Sequence, residues 1–189
     1  MMGEAKKRKA QAAAWRSTLS VDEQKVANVA QRLWSIFPAQ GACYRTSLFL
    51  KYHLSKAHGI DGQAVVGFVN DGTDDLYSSH AWFEFNGSKT DLGLSRPLHP
   101  DLQKAGPLLI QGHVVRSGWP WSYHATRPPA GLAAVRNMLA HPETAAHMEA
   151  MEELHLTMKA TARSDDLIRA YLDNAPDSLT YDVVAQQVG

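Results

Sequence analysis

The sequence is short of several things, and each shortage narrows the reading. It has one cysteine in 189 residues, which cannot close an internal disulfide. A lone thiol persists best in a reducing compartment, so a cytoplasmic location is expected. It has no charge excess: Lys+Arg and Asp+Glu both total 19, for a formal net charge of zero. That removes the global electrostatic reason to expect nucleic acid or a membrane surface as partner, and argues against strongly charged targets. No apolar run approaches the roughly 20 residues a spanning helix needs. The basic start is not followed by the apolar stretch of a secretory signal. No internal repeat or low-complexity segment is visible. What is present, a chain 44% hydrophobic, suffices for one core with a smaller appended lobe.

Residues 1–19 form a basic tail, frayed or helical, that includes Lys6-Lys7-Arg8-Lys9. It lacks the interleaved aromatics of a nucleic-acid arm and reads as solvated. Ser20 and Glu23 form a capping box. Val26, Val29, Ala30, Leu33, Trp34 and Phe37 then recur at helical spacing, and Pro38 stops that helix. Cys43 opens a second, largely apolar helix ending at His58-Gly59, with the glycine placed for a left-handed C-cap. Gln63 to Val69 is a β-branched strand. His80–Phe85 and Ser88–Leu92 are strands joined by Asn86-Gly87, a strong hairpin signal. Leu108 to Arg116 reads as one further strand.

After Trp119-Pro120-Trp121 and Pro128-Pro129 the pattern turns helical. Leu132, Val135, Met138 and Leu139 make one face, and Met148, Met151, Leu154 and Met158 another. Ser164-Asp165-Asp166 caps a helix that runs through Leu172 and stops near Pro176. Helices, then a strand meander, then helices predict an α+β fold, with a core over 20–127 and a helical extension over 128–189.

The hairpin fixes a geometry. With a two-residue turn at Asn86-Gly87, positions whose numbers sum to 173 face each other. Asp91 then lies opposite Trp82, and His80 opposite Gly93. His80, Trp82 and Asp91 share one face, and His80 and Asp91 are diagonal neighbours about 7–8 Å apart at most. A one-residue slip would separate them. An ordinary thiol is mostly protonated at neutral pH. A helix N-terminus and an imidazolium both favour the thiolate. Cys43, His80 and Asp91 are therefore candidates for nucleophile, base and orienting acid. The Cys43 amide is an oxyanion-donor candidate and Gln40 a second one. Trp82 is a candidate for lying beside the substrate, or else a core residue.

The run Gly41-Ala42-Cys43-Tyr44-Arg45-Thr46-Ser47-Leu48, the Val-Val-Gly-Phe-Val strand, Ser79-His80-Ala81-Trp82-Phe83-Glu84-Phe85-Asn86-Gly87 and Asp91 together resemble the transglutaminase-like cysteine-peptidase superfamily. The pattern is similar to its small bacterial branch that includes the leader peptidases of lasso-peptide maturation. The resemblance spans about Trp34 to Leu94. It implies a papain-like core, a cysteine capping a core helix, and histidine and aspartate on adjacent antiparallel strands. The implied reaction is acyl transfer through a thioester on a peptide or protein, by hydrolysis or by transamidation, with no cofactor. The C-terminal helices would be a lid, a recognition lobe or a dimer surface; oligomeric state is open.

Blander readings stand beside this one. Cys43 is then a small buried hydrophobe, His80 a satisfied core histidine and Asp91 a hairpin cap, on a module that binds a partner without catalysis. A metal site from His99, His113 and His124 lacks ligand spacing. Glu152-Glu153-Leu154-His155 with His147 reads as a solvated helix face rather than a metal motif. No metal is expected.

Overall fold

The computed structural model describes residues 2–37, 39–101 and 103–189. Three helices come first: α1 (Met2–Thr18), α2 (Val21–Ile36) and α3 (Cys43–His58). Six strands follow: β1 (Gln63–Asn70), β2 (Ser78–Phe85), β3 (Ser88–Thr90), β4 (Leu108–Ile110), β5 (His113–Arg116) and β6 (Ser122–His124). Four more helices end the chain: α4 (Pro129–Leu139), α5 (Pro142–Thr161), α6 (Asp165–Asp173) and α7 (Tyr181–Val188). The fold is α+β, and no described helix is long and apolar enough to cross a membrane.

The helix boundaries have local causes. The Ser20 side chain accepts from the Glu23 amide and Glu23 accepts from the Ser20 amide, closing the expected capping box of α2. Pro38, expected to stop that helix, lies outside the described residues. Gly59 takes the left-handed C-cap of α3 at φ 64°. Ser164 caps α6 by accepting from the Leu167 amide. The sequence pattern did not announce α7.

The main sheet is antiparallel in the order β3-β2-β1-β6. The β2–β3 register pairs Phe85 with Ser88, Glu84 with Lys89 and Phe83 with Thr90, as the two-residue turn predicts. The ladder stops one residue earlier than expected, because Asp91 leaves β2 and pairs with Leu109. A second correction concerns 108–116, which is a hairpin, β4–β5, and not one strand. Gln111 and Gly112 both take positive φ, 46° and 72°, and turn the chain back. Strand β6, three residues long, carries too little pattern to be read beforehand.

One core cluster joins helices from both ends of the chain to the sheet. Val26 and Leu33 of α2, Leu48, Leu50 and Leu54 of α3, and Ala81 and Phe83 of β2 pack in one cluster. Met158, Ile168, Leu172, Val184 and Val188 of the last helices join the same cluster. On α4, Val135 turns inward while Leu132 and Leu139 stay exposed. On α5, His155 takes the inward place expected of Leu154, which is exposed. The solvated reading of Glu152 and His155 is thus corrected. His155 is 5% exposed and stacks on Phe68 at 4.3 Å. Glu152 accepts both Arg127 guanidinium nitrogens, at 2.6 and 2.8 Å.

Candidate active site

Cys43 is the first residue of α3. The residue before it, Ala42, has no side-chain oxygen to cap the helix, so the opening amides of α3 keep their donor capacity beside the thiol. The turn leading in is held from outside. The Gly41 amide donates to the Arg96 carbonyl at 2.9 Å. The Arg96 guanidinium donates to the carbonyls of Trp34 and Phe37 and stacks over the Trp34 ring at 4.3 Å. The segment after Asp91 thereby clasps the segment before Cys43. The thiol itself is half-buried.

His80 and Asp91 form the buried centre of the site. His80 Nε2 and Asp91 Oδ2 are 2.8 Å apart. The carboxylate is fully buried and fully bonded: Oδ2 also accepts from the Tyr123 hydroxyl at 2.7 Å. Oδ1 accepts from the amides of Gly93 at 2.8 Å and Leu94 at 3.2 Å. Burial pushes the Asp91 carboxyl up, but the His80 charge and the donors from His80, Tyr123 and Leu94 outweigh it and hold it below the usual range. Burial pushes His80 down, and the Asp91 charge followed by Cys43 outweighs that, raising the ring to about 10. Tyr123 is pushed above the usual phenol value by burial and then by the Asp91 charge. At neutral pH the centre is an imidazolium–carboxylate pair with every carboxylate bond satisfied.

Cys43 and His80 meet at Gly93. A Cβ on Gly93 would lie 2.6 Å from Cys43 Cβ and 3.1 Å from His80 Cε1, so only a bare backbone fits between them. With Nε2 committed to Asp91, Nδ1 is the ring nitrogen left for sulfur. The sulfur is close enough to raise the ring's proton affinity. No well-aligned Sγ–Nδ1 hydrogen bond is formed among the described residues, which is common before substrate arrives.

Other features complete the wall. Gly67 lies opposite His80 across β1–β2, and a Cβ there would sit 2.7 Å from the Trp82 ring. That gap lets Trp82 reach Tyr123, edge to face at 5.1 Å. Trp82 is 2% exposed and its indole N–H donates to Glu84 at 2.6 Å. It is therefore a wall behind His80, the core alternative of the two readings and not the place beside the substrate. Gln40 is exposed in the turn, and its side chain makes no hydrogen bond among the described residues. On the opposite face of β2, Ser79 Oγ lies 2.7 Å from the Tyr44 hydroxyl and 2.5 Å from His155 Nδ1. This ties α3, β2 and α5 together behind the site.

Tyr123 and Gly93 were not named as functional residues from sequence. Gly93 had a signal, since the 173 register places it opposite His80; Tyr123, on the far edge strand, had none. His113 stacks on Trp15 at 4.5 Å, and His124 sits beside Tyr77. Among the described residues no group of three His, Cys, Asp or Glu side chains gathers as a metal site. Comparison with known proteins returns no matching family model, no similar curated protein and no similar solved structure.

Proposed function

We propose that this chain is a cysteine peptidase or amidase that works through a thioester, on a core of transglutaminase-like type. The observation that carries the proposal is the buried His80–Asp91 pair, 2.8 Å apart, lying against the thiol at the start of α3 across the bare backbone of Gly93. The proton of the Cys43 thiol already resides on Nδ1 of the His80 imidazolium, so the sulfur attacks the scissile carbonyl carbon as a thiolate. The amides opening α3 face the developing oxyanion. His80 returns the proton to the leaving amine as the C–N bond breaks. Water, deprotonated by His80, then opens the thioester and releases the acid. Asp91 holds the ring and stabilises its charge throughout. The substrate class is a peptide or protein, and the lone thiol suits a reducing compartment such as the cytoplasm.

The test is thiol reactivity read by mass. Iodoacetamide near neutral pH should label Cys43 rapidly in the native chain and slowly in His80→Ala. A peptide-based electrophile should attach at the same sulfur. Equal, sluggish labelling of both proteins, with no attachment of the electrophile, would reject the enzyme and leave a protein-binding module.

A further inference from the structure

A cleft of about 610 Å³, whose lining does not include Cys43, lies between α1 and α2 on one side and β5 on the other. Trp15, Arg16 and Gln31 form one side; Val114, Val115 and Arg116 form the other. Three observations bear on what fills it.

The first is an open strand edge. β5 pairs with β4 on one side, and among the described residues no strand pairs on its other side. Val114 and Val115 are 50% and 46% exposed. Apolar side chains on a bare edge form a template for another strand.

The second is charge. Though the chain is neutral overall, Arg16, His113 and Arg116 line the cleft, and no described Asp or Glu does. Arg16 donates to the neutral oxygens of Asn28 and Gln31, so its charge is not cancelled. Arg116 makes no ion pair among the described residues. Burial, and then the like charge of Arg116, hold the Arg96 guanidinium below its usual value.

The third is position. Arg96, within electrostatic reach of Arg116, accepts the Gly41 amide in the turn that enters Cys43. The residue that feels the Arg116 charge is thus the one whose carbonyl holds the turn before Cys43.

We propose that this cleft docks an extended, acidic peptide segment, added as a strand along β5, with its carboxylates on Arg16 and Arg116 and its apolar side chains against Val114 and Val115. The identification of that segment as part of the substrate, remote from the bond that breaks, rests on the cysteine-peptidase reading; the docking surface does not.

Fluorescence anisotropy of a short fluorescein-labelled peptide of alternating Glu and Val tests it, using the full chain carrying Cys43→Ala so that nothing is turned over. Saturable binding is expected, about tenfold weaker when Arg116→Glu is added and similarly weaker for the Lys-Val counterpart. Circular dichroism should show an unchanged fold, since Arg116 is exposed, and Val114→Lys gives an independent disruption of the same surface. The proposal falls if the acidic peptide does not bind or if the Lys peptide binds equally well. It also falls if oligo(dT) competes at equal affinity, which would mark a general polyanion site. Light scattering that shows self-association abolished by Val114→Lys would assign the edge to a second copy and overturn the peptide. Intact binding beside an unreactive native thiol rejects the enzyme and spares the surface; the reverse result rejects the surface alone.

Discussion

Two hairpins in this chain close on two-residue turns, and they are specified in different ways. Asn86 and Gly87 take φ 49° and 71°; Gln111 and Gly112 take φ 46° and 72°. The first pair has the residues such a turn favours and is locally encoded. The second puts a glutamine where asparagine, aspartate or glycine is usual, and the conformation is held from outside. The Gln111 amide donates to Thr90 Oγ1 and the Gly112 amide donates to the Lys89 carbonyl. Both anchors belong to β3, so the first hairpin holds the second. The second repays this at the site, since Leu109 exchanges both backbone bonds with Asp91, at 2.9 and 3.0 Å. One hairpin carries His80; the other fixes the acid that orients it.

The largest effect is expected where the two meet. Asp91→Asn keeps the shape but removes the charge that holds the imidazolium. Thiol reactivity and turnover should fall on the order of 10³-fold, read by iodoacetamide kinetics. A loss below about tenfold would mean that Asp91 is only a hairpin anchor. Gly93→Ala should come next. Its Cβ would press on Cys43 Cβ at 2.6 Å and on the Cys43 backbone Cα at 2.8 Å, and the backbone cannot yield as a flexible side chain does. About 10²-fold loss of reactivity is expected from the displaced thiol, with a folded chain by circular dichroism. Unchanged kinetics would show that sulfur and ring do not need this contact.

The pH dependence of stability probes the same joint. His80 is raised to about 10 from an unfolded value near 6.5. Its contribution is therefore fully present below about pH 6.5 and is lost as pH rises through about 10. Asp91 is held below its unfolded value, so its contribution is present above about pH 4 and lost on acidification. The melting-temperature gap between the native chain and His80→Gln should be widest between these limits and narrow towards pH 10. A gap that widened on the alkaline side would contradict a charged native His80. Tyr123→Phe removes one of the two donors to Asp91 Oδ2 and should cost about 1 kcal/mol by denaturant titration.

Much of the candidate site was legible because its parts are local or fixed by register. The helix start at Cys43, the shared face of His80 and Asp91, and the proximity of Gly93 to His80 all follow from short-range rules. What escaped depends on contacts far apart in sequence. Tyr123 reaches Asp91 from the opposite edge of the sheet, a bond between residues 32 apart in sequence. Trp82 offered an aromatic ring to either core or substrate, and its neighbours on β6 decided for the core. His155 is polar and still faces inward, because Ser79 and Phe68 receive it. That His155 rather than Leu154 turns inward is set by the sheet it meets, not by hydropathy along α5.

The smallest effect isolates the comparison itself. Asn86→Gln gives the first turn the residue of the second, without Thr90 or Lys89 to hold it. A longer side chain at positive φ should cost about 1 kcal/mol. Gln111→Asn does the reverse. Its present side chain is buried with neither amide atom paired among the described residues, and asparagine tolerates the left-handed region better. The exchange should be stabilising by about 0.5 kcal/mol. If both turns are equally local, the two substitutions should give equal and opposite shifts in urea midpoint, and the double variant should match the native chain. If tertiary bonds hold the second turn, Asn86→Gln should lose more than Gln111→Asn gains, leaving the double variant less stable. Equal and opposite shifts would end the claim that one hairpin is encoded locally and the other borrowed from it.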